Sequence, residues 1–321
     1  MDTSVIICAY TMDRWNELVQ SVHSCEDQTK AASEIVLVVD YDADLLHRAS
    51  ERFPGVTVIA NQGDQGLSGA RNTGVGVASG AVIAFLDDDA YAEPEWLEQL
   101  TSMFTDPKVA GVGGWILPTW PQGEPQWFPQ SFYWVLGCSY LGLPEHGATI
   151  RNPIGANMAF RRRVFDSVGG FSAGLGRIGN NSLGCEETEL SIRYTNNFTA
   201  ERFVLSRTAI VRHHVPSSRL TRRYFLKRCW SEGLSKAAVA NLVGSSAGLA
   251  AERRHLVRAL PREIIRSGRE LTRDPRNAIA RIGLVLAGTS WAAAGWARGM
   301  LAIRRAPQLV ERIRPEDSHD E

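Results

Sequence analysis

The chain is poor in cysteine, and its cysteines show no functional spacing. Five of them are scattered over 321 residues, without a Cys-x-x-Cys pair. This pattern argues against a disulfide framework and against a cysteine zinc site, and it favours a reducing compartment. The apolar run at residues 4–7 follows no basic leader and no small-residue cleavage site. We therefore expect no secretory signal, and a cytoplasmic protein that is either free or held at the inner face of the cell membrane.

Two other common sequence patterns are missing. No Gly-x-x-x-x-Gly-Lys-Ser/Thr motif is present, which excludes a Walker A phosphate loop. The uncharged stretch at residues 282–297 has 16 residues, whereas a membrane span usually needs about 20.

Hydrophobic residues make up 44% of the chain, which is enough for a large core and excludes a disordered protein.

The formal net charge is zero, but the two parts of the chain carry opposite charges. Residues 1–201 contain 12 Lys and Arg against 25 Asp and Glu, and residues 202–321 contain 23 against 10. The resulting charges of −13 and +13 suggest an acidic part that can hold a metal and a basic part that meets anions. Phosphates, a membrane surface or nucleic acid would supply such anions. No recognised nucleic-acid-binding motif accompanies the charge, so we expect no nucleic acid partner.

Apolar runs alternate with helical stretches in the first part of the chain. Four runs carry no internal charge and are rich in β-branched residues, at residues 5–10, 34–40, 56–59 and 81–86. Continuous apolar runs of this length are typical of strands buried on both faces of a parallel sheet. We therefore predict an α/β protein with a Rossmann-like, mostly parallel central sheet flanked by helices.

Three consecutive aspartates, Asp87, Asp88 and Asp89, follow the last of these runs. In open α/β sheets, ligands bind beyond the carboxyl ends of the strands. Adjacent carboxylates repel one another, and a hard divalent cation such as Mg²⁺ binds both carboxylate and phosphate oxygens. The motif therefore indicates either a metal site that faces a phosphorylated substrate or a solvated turn that caps the next helix.

A glycine-rich segment, residues 61–74, leads from the third run into a helix and contains Arg71. Backbone N–H groups at the N-terminus of a helix can bind phosphate, and an arginine adds a charge-assisted contact. The alternative is an ordinary loop with a solvated arginine.

Three later segments each allow a structural and a functional interpretation. Residues 115–134 contain four Trp and four Pro, which predicts an ordered loop that either packs on itself or covers an acceptor site. Glu186 and Glu187 either complement a helix dipole or supply a general base. His213 and His214 end a predicted strand, where they are either structural or able to bind a metal.

Taken together, these motifs resemble the inverting family 2 glycosyltransferases of the GT-A fold, in order and spacing, over roughly residues 3–235. The resemblance implies a nucleotide-sugar site, a divalent cation (Mg²⁺ or Mn²⁺) and a carboxylate base. It assigns nucleotide-sugar contacts to Ala9, Tyr10, Asp40, Asn61, Gly63, Arg71, Asp87 and Asp88. It assigns the metal to Asp89 and His213, acceptor contacts to Gly155, Asn157, Trp115 and Trp120, and catalysis to Glu187 with Glu186.

Two positions depart from the family pattern. The usual Asp-Asp-Gly-Ser continuation after Asp40 is replaced by Tyr-Asp-Ala-Asp, and Glu187 stands where the family has Asp. The implied reaction transfers a sugar from a nucleotide-diphosphate donor, UDP-linked by analogy, to an acceptor hydroxyl with inversion. The implied acceptor is a glycan, a lipid-linked glycan or a natural product, in a setting such as bacterial polysaccharide biosynthesis.

The same comparison divides the chain into a catalytic domain and an extension. Residues 1–115 should bind the nucleotide sugar, residues 116–235 the acceptor, and residues 236–321 should form a basic helical extension. Its uncharged stretch predicts a helix that lies on a membrane surface, one buried in a homodimer or in the core, or a membrane span that is shorter than usual.

Two rival functions are open at this point. A non-catalytic nucleotide-sugar or glycan-binding protein would keep the fold and lose the base, and the Glu at position 187 allows it. A dehalogenase-like phosphatase also places Asp-x-Asp after a strand, but Ala90 and Tyr91 do not fit its pattern.

Overall fold

The computed structural model of the protein describes residues 1–172, 184–244, 252 and 255–305. Residues 173–183 and residues 306–321, the end of the predicted extension, lie outside the described residues. The strands of this part are β1 (Thr3–Ala9), β2 (Glu34–Val39), β3 (Thr57–Ala60), β4 (Val82–Asp87), β5 (Ala90–Ala92), β6 (Val109–Thr119), β7 (Thr149–Ile150), β8 (Asn157–Arg161) and β9 (Arg202–His214). The helices are α1 (Trp15–Glu26), α2 (Ala43–Arg52), α3 (Leu67–Val77), α4 (Trp96–Ser102), α5 (Arg162–Val168), α6 (Glu186–Asn197), α7 (Arg222–Val243), α8 (Leu260–Glu270) and α9 (Pro275–Arg305).

The first four long strands form the parallel half of one sheet. β1 pairs in parallel with β2 on one side and β4 on the other, and β3 continues the sheet beyond β2. β1 and β4 are buried along almost their whole length, as expected for strands covered on both faces. The register sets Ala9 opposite Val39 and Cys8 opposite Asp87, so the carboxyl ends of the three strands meet at one edge. The predicted α/β class is confirmed.

The other half of the sheet is mixed. β8 is antiparallel to both β4 and β6, and β9 is parallel to β6. The short strand β5, which the sequence did not indicate, pairs antiparallel with β9 and sets Ala90 opposite His213. Because Ala90 directly follows the aspartates, this pairing brings the end of β9 back to them.

The tryptophan-rich segment packs into a hydrophobic core rather than standing free over a site. Phe128 and Phe132 are buried against Phe225 of α7. Val285 of α9 belongs to the same cluster. Of the two interpretations of this segment, packing within the protein therefore describes most of its aromatic side chains. These side chains join the sheet to the C-terminal helices.

α9 is about twice as long as the predicted stretch, with 31 residues, and it packs along α7. The two backbones touch at glycines: a Cβ added at Gly233 would clash with the carbonyl oxygen of Ala292, and one at Gly295 with that of Trp230. Within the described part of the chain, α9 is the one helix long and apolar enough to cross a membrane, and a third of its apolar window is buried in the protein. The domain boundary expected after residue 235 falls inside α7, and the division of the chain into domains stays a prediction.

The contact between α7 and α9 can be tested with two glycines of the same helix. Replacing a helical Gly by Ala stabilises a helix by about 1 kcal/mol where space allows, and a Cβ added at Gly283 would meet no other atom within 4 Å. We therefore expect Gly283→Ala to stabilise the protein slightly. Gly295→Ala should instead destabilise it by about 1–3 kcal/mol, because the added methyl group overpacks the helix contact.

The measurement is the urea concentration at the midpoint of unfolding, for the two variants and the wild-type chain. The comparison requires that the slope of the unfolding free energy against urea concentration is the same for all three. If Gly295→Ala proved as stable as Gly283→Ala, the close approach of the two helices would be wrong.

Candidate active site

Two buried carboxylates lie side by side where β4 ends. Asp88 and Asp89 are 4% and 5% exposed, while Asp87 remains about a third exposed. Arg14 Nη1 lies 2.8 Å from Asp88 Oδ1 and 3.1 Å from Asp89 Oδ2. His213 Nε2 lies 3.0 Å from Asp89 Oδ1. Burying two adjacent negative charges is costly unless cations pair with them, and these contacts provide that pairing.

The pairing separates the protonation of the two aspartates. Burial alone would raise the pKa of Asp89, but His213, Arg14 and the more distant Arg219 hold it well below its usual range. Burial and the neighbouring Asp89 charge raise the pKa of Asp88 to about 7. Burial alone would lower the pKa of His213, but the Asp89 carboxylate raises it to about 10. Without a metal, His213 is therefore a cation at neutral pH.

Asp87, Asp89 and His213 form a group that can hold a metal ion. One ligand atom from each lies within 4.8 Å of the others. Two carboxylate oxygens and an imidazole nitrogen suit a divalent cation such as Mn²⁺, and the exposed edge of Asp87 leaves room for ligands from a substrate. The residues present therefore fit the divalent cation expected from the sequence.

Arg71 connects this group to the predicted catalytic pair. It is 2% exposed, and its guanidinium lies 2.6 Å from Glu186 Oε1 and 3.4 Å from Asp87 Oδ1. It also donates to the carbonyl oxygen of Gly155 at 3.2 Å. The solvated arginine considered as an alternative is therefore wrong, because the side chain is buried between three segments of the chain.

The loop after β3 closes around Asp40. Asn61 Nδ2 donates to Asp40 Oδ1 at 2.7 Å, and the backbone N–H of Gly66 donates to Oδ2 at 3.0 Å. Asn61 Oδ1 in turn accepts from the N–H of Gly63 at 2.9 Å. Gly66 has φ of 122°, a conformation that favours glycine at this turn. These bonds hold Asp40 at the carboxyl end of β2, next to Ala9 and the exposed Tyr10 at the end of β1.

Glu186 and Glu187, at the start of α6, differ in their surroundings. Glu186 is buried and paired with Arg71, and within the described residues its second oxygen, Oε2, has no hydrogen-bond partner. Glu187 is half-buried, and burial together with the charge of Glu186 raises its pKa to about 7. A carboxylate with a pKa near the working pH is suited to accept a proton, and Glu187 has this property. Its role as a base stays a prediction.

α7 holds the beginning of α6 in place. Cys185, directly before Glu186, has a left-handed φ of 78°, which is strained for a residue other than glycine. The N–H of Gly184 donates to Ser235 Oγ at 3.2 Å, and Cys185 Sγ lies 3.6 Å from Glu232 Oε1. α7 is therefore part of the structure around the site.

The predicted acceptor residues lie in different environments. Asn157 is fully buried, and its amide bonds Trp96 Nε1 at 2.8 Å and the carbonyl oxygens of Trp115 and Ala209. Its visible role is to connect β8 with α4, β6 and β9. Trp115 lies under Arg207, and Trp120 packs edge-to-face on Tyr133, both partly buried. Gly155 contacts Arg71, and a role in acceptor binding stays a prediction for all four.

The sequence interpretation missed Arg14 and Arg219, the two arginines beside Asp89. Arg14 lies in the polar segment just after β1, so its closeness to a strand's carboxyl end was a usable signal. Arg219 lies in a short helical turn after β9 and carries no pattern that points to the aspartates. The ion pairs of both arginines with Asp89 are long-range contacts, which leave no periodic pattern in a sequence.

The order of the sheet, with paired aspartates at the end of β4, agrees with the GT-A fold that the sequence motifs predict. Residues 4–169 match the family described as Glycosyl transferase family 2. A glucosyl-dolichyl phosphate glucuronosyltransferase from Haloferax volcanii is 34% identical over 240 residues, which cover 74% of this chain and 76% of the relative. The chain therefore belongs to glycosyl transferase family 2, and the predicted family and enzyme class are confirmed.

Two further similarities agree with this assignment. The glycosyltransferase AglE of Haloferax volcanii is 32% identical over 126 residues, or 37% of this chain and 41% of the relative. The solved structure of the mannosyltransferase PcManGT from Pyrobaculum calidifontis, in complex with GDP-Man and Mn²⁺, aligns with a TM-score of 0.51 and 19% identity. The alignment covers 94% of this chain and 75% of that one, and it confirms the GT-A type fold.

The role of Arg71 can be tested through stability. Arg71→Met leaves Glu186 and Asp87 without their shared cation, and breaking a buried pair in this way typically costs about 3–5 kcal/mol. Arg163→Met is the matched control, because its pair with Glu201 is more exposed and such pairs contribute about 1 kcal/mol or less.

Urea unfolding of both variants measures the difference. Adding Glu186→Gln to Arg71→Met should recover part of the lost stability, since it removes one uncompensated charge. Equal losses in the two single variants would contradict the central position of Arg71.

Proposed function

We propose that the protein transfers a sugar from a nucleotide-diphosphate sugar to an acceptor hydroxyl in one inverting displacement, with Glu187 as general base. The observation that carries the proposal is the connection through Arg71, which joins the aspartates at the end of β4 to the glutamates at the start of α6. The arrangement puts a candidate metal site and a candidate base around one buried guanidinium. Inversion is typical of the family.

The donor half of the proposal rests on the parallel half of the sheet. Asp40, Tyr10 and Asp87 lie at the carboxyl ends of three neighbouring strands, where α/β sheets bind nucleotides. The structure of PcManGT, which has a similar fold, was solved with GDP-Man and Mn²⁺, and this supports a nucleotide-sugar donor. The assignment of UDP, and of the sugar itself, stays a prediction from the sequence.

Asp87, Asp89 and His213 would hold the divalent cation. When bound, such a cation acts as a Lewis acid that offsets the charge of a diphosphate leaving group. The chain's own contribution is to keep Asp89 ionised and to hold His213 beside it. His213 would have to lose its proton before it could bind the cation.

The raised pKa of Glu187 favours an enzyme over a non-catalytic sugar-binding protein. A glutamate that only complements a helix dipole has no need to be half-buried beside a second carboxylate. Burial and Glu186 raise the pKa of Glu187 to about 7, and Arg71 neutralises Glu186 rather than Glu187. Glu187 is thus the group free to remove the proton from an acceptor hydroxyl as it attacks the anomeric carbon.

A lipid-linked glycan is the acceptor class we propose. The relative from Haloferax volcanii, which this chain matches over most of its length, is named for a glucosyl-dolichyl phosphate. Bacterial polysaccharide biosynthesis and other glycan or natural-product acceptors stay predictions from the sequence.

The base can be tested by substitution and by pH. Glu187→Gln should lower the transfer rate by about 10²–10⁴-fold and leave nucleotide-sugar binding unchanged, because the amide keeps the shape and cannot accept the proton. In the wild-type enzyme only the ionised carboxylate is active, so the rate should rise with pH through a midpoint near 7.

Transfer is measured by release of the nucleotide diphosphate, and binding by calorimetry. Glu187→Asp, which restores the residue usual in the family, should keep measurable activity. A Glu187→Gln enzyme that lost donor binding along with transfer would show a structural role instead.

The metal site can be tested with a pair of adjacent substitutions. Asp89→Asn should abolish Mn²⁺ binding, because it removes a charged ligand from the group of three. Asp88→Asn should retain it, because Asp88 lies outside that group and is already partly protonated at neutral pH.

Bound Mn²⁺ is counted directly by electron paramagnetic resonance, with melting temperatures recorded for both variants. Equal Mn²⁺ binding by the two variants would show that the metal is held elsewhere.

A further inference from the structure

The outward face of α9 is apolar where a helix on a protein surface is usually charged. We call the residues Ile279, Gly283, Leu286, Ser290, Ala294, Ala297 and Leu301 the outer stripe. Their spacing of three and four residues places them on one side of the helix. Ile279 is 63% exposed, Leu286 59% and Leu301 49%, and Trp291 beside the stripe is 48% exposed.

A helix that faces water usually has charged side chains outside and apolar side chains inside, and the region of the outer stripe has the reverse arrangement. Arg281 lies between the first two residues of the outer stripe but points inward, where it is buried. It donates to the carbonyl oxygen of Gln126 and to the side chains of Ser267 and Glu270. The exposed Arg276 and Arg298 lie near the two ends of the uncharged part. The helix therefore buries a cation inside the protein and presents apolar side chains outside.

The packing of α9 argues against a membrane span, although the helix is long and apolar enough for one. Its other face contacts α7 backbone to backbone at Gly295 and Gly233. α7 carries charged side chains along that region, including the ion pair between Lys236 and Glu232. α9 thus packs with one face on a helix that carries charges and leaves its other face exposed. This is the arrangement of a helix that lies along a membrane surface.

The charge around α9 identifies the kind of surface. Residues 255–305 contain ten Arg against three acidic residues, and one of the three, Glu263, is fully buried. Two copies of so basic a surface would repel one another in a dimer, whereas anionic phospholipid attracts it. Trp is enriched at the boundary between lipid and water, which suits the position of Trp291.

We propose that the outer stripe is a membrane-docking surface that binds anionic phospholipid. The exposed Ile264 and Ile265 of α8 add apolar area in the same extension. Docking of this kind concerns binding alone, so it does not depend on the proposed transfer reaction. It would place the enzyme at the surface from which a lipid-linked acceptor is presented.

The test is sedimentation of the full chain with vesicles of phosphatidylcholine and phosphatidylglycerol, and with phosphatidylcholine alone. The wild-type protein should sediment with the anionic vesicles, and less so as salt rises. The variant Ile279→Glu/Leu286→Glu should bind them at least about tenfold more weakly, because it puts two charges into the apolar face that would enter the lipid. Val77→Glu, which charges an exposed apolar residue of α3, should bind as the wild type does.

Several results would overturn the proposal. These are a wild-type chain that stays in solution with anionic vesicles, a double variant that still binds them, or a lipid-free dimer that the double variant converts to monomers. Leu286→Ser serves as a milder variant if the double variant melts early. Donor hydrolysis should be unchanged in every stripe variant, which separates failure of docking from failure of the proposed chemistry.

Discussion

The buried guanidinium of Arg71 is the interaction on which the candidate site depends. It comes from α3, packed against the parallel half of the sheet, and it reaches Asp87, Glu186 and the carbonyl oxygen of Gly155. Glu186 is the buried charge among these partners, and it would be expensive to leave it uncompensated. The donor side and the base side of the site are therefore held at a fixed separation by one side chain that meets no solvent, and neither side can rearrange without exposing a charge.

The charge balance at Asp89 explains why distant parts of the chain must meet at the end of β4. Two adjacent carboxylates are buried there, and Arg14, His213 and Arg219 supply the compensating charge from three other segments. The same contacts keep Asp89 ionised, which a metal ligand requires. A cation entering this site would compete with Arg14, Arg219 and the imidazole of His213 for the oxygens of Asp89.

The elements that depend on local pattern could be predicted from the sequence, and those that depend on long-range contact could not. The run before Asp87 is continuous and apolar, so both the strand and the site at its end were predictable. β5 is three residues long, and no periodicity reveals so short a strand. Arg71 was predicted as a site residue, but its burial depends on Glu186, which lies 115 positions away. The full length of α9 could not be predicted because glycines within a helical pattern suggest a break, whereas here they permit close contact with α7.

α7 connects the two functions proposed for this chain. On one side it contacts α9, whose outer stripe faces away from it. On the other side Ser235 and Glu232 hold the residues that precede Glu186, including the strained Cys185. A single helix of 22 residues thus lies between the proposed membrane surface and the proposed base. Because a packed helix transmits position rather than absorbing it, docking of α9 would set the orientation of Glu187 relative to the lipid. If the acceptor is lipid-linked, as proposed, that orientation would limit which of its hydroxyls can reach the proposed base.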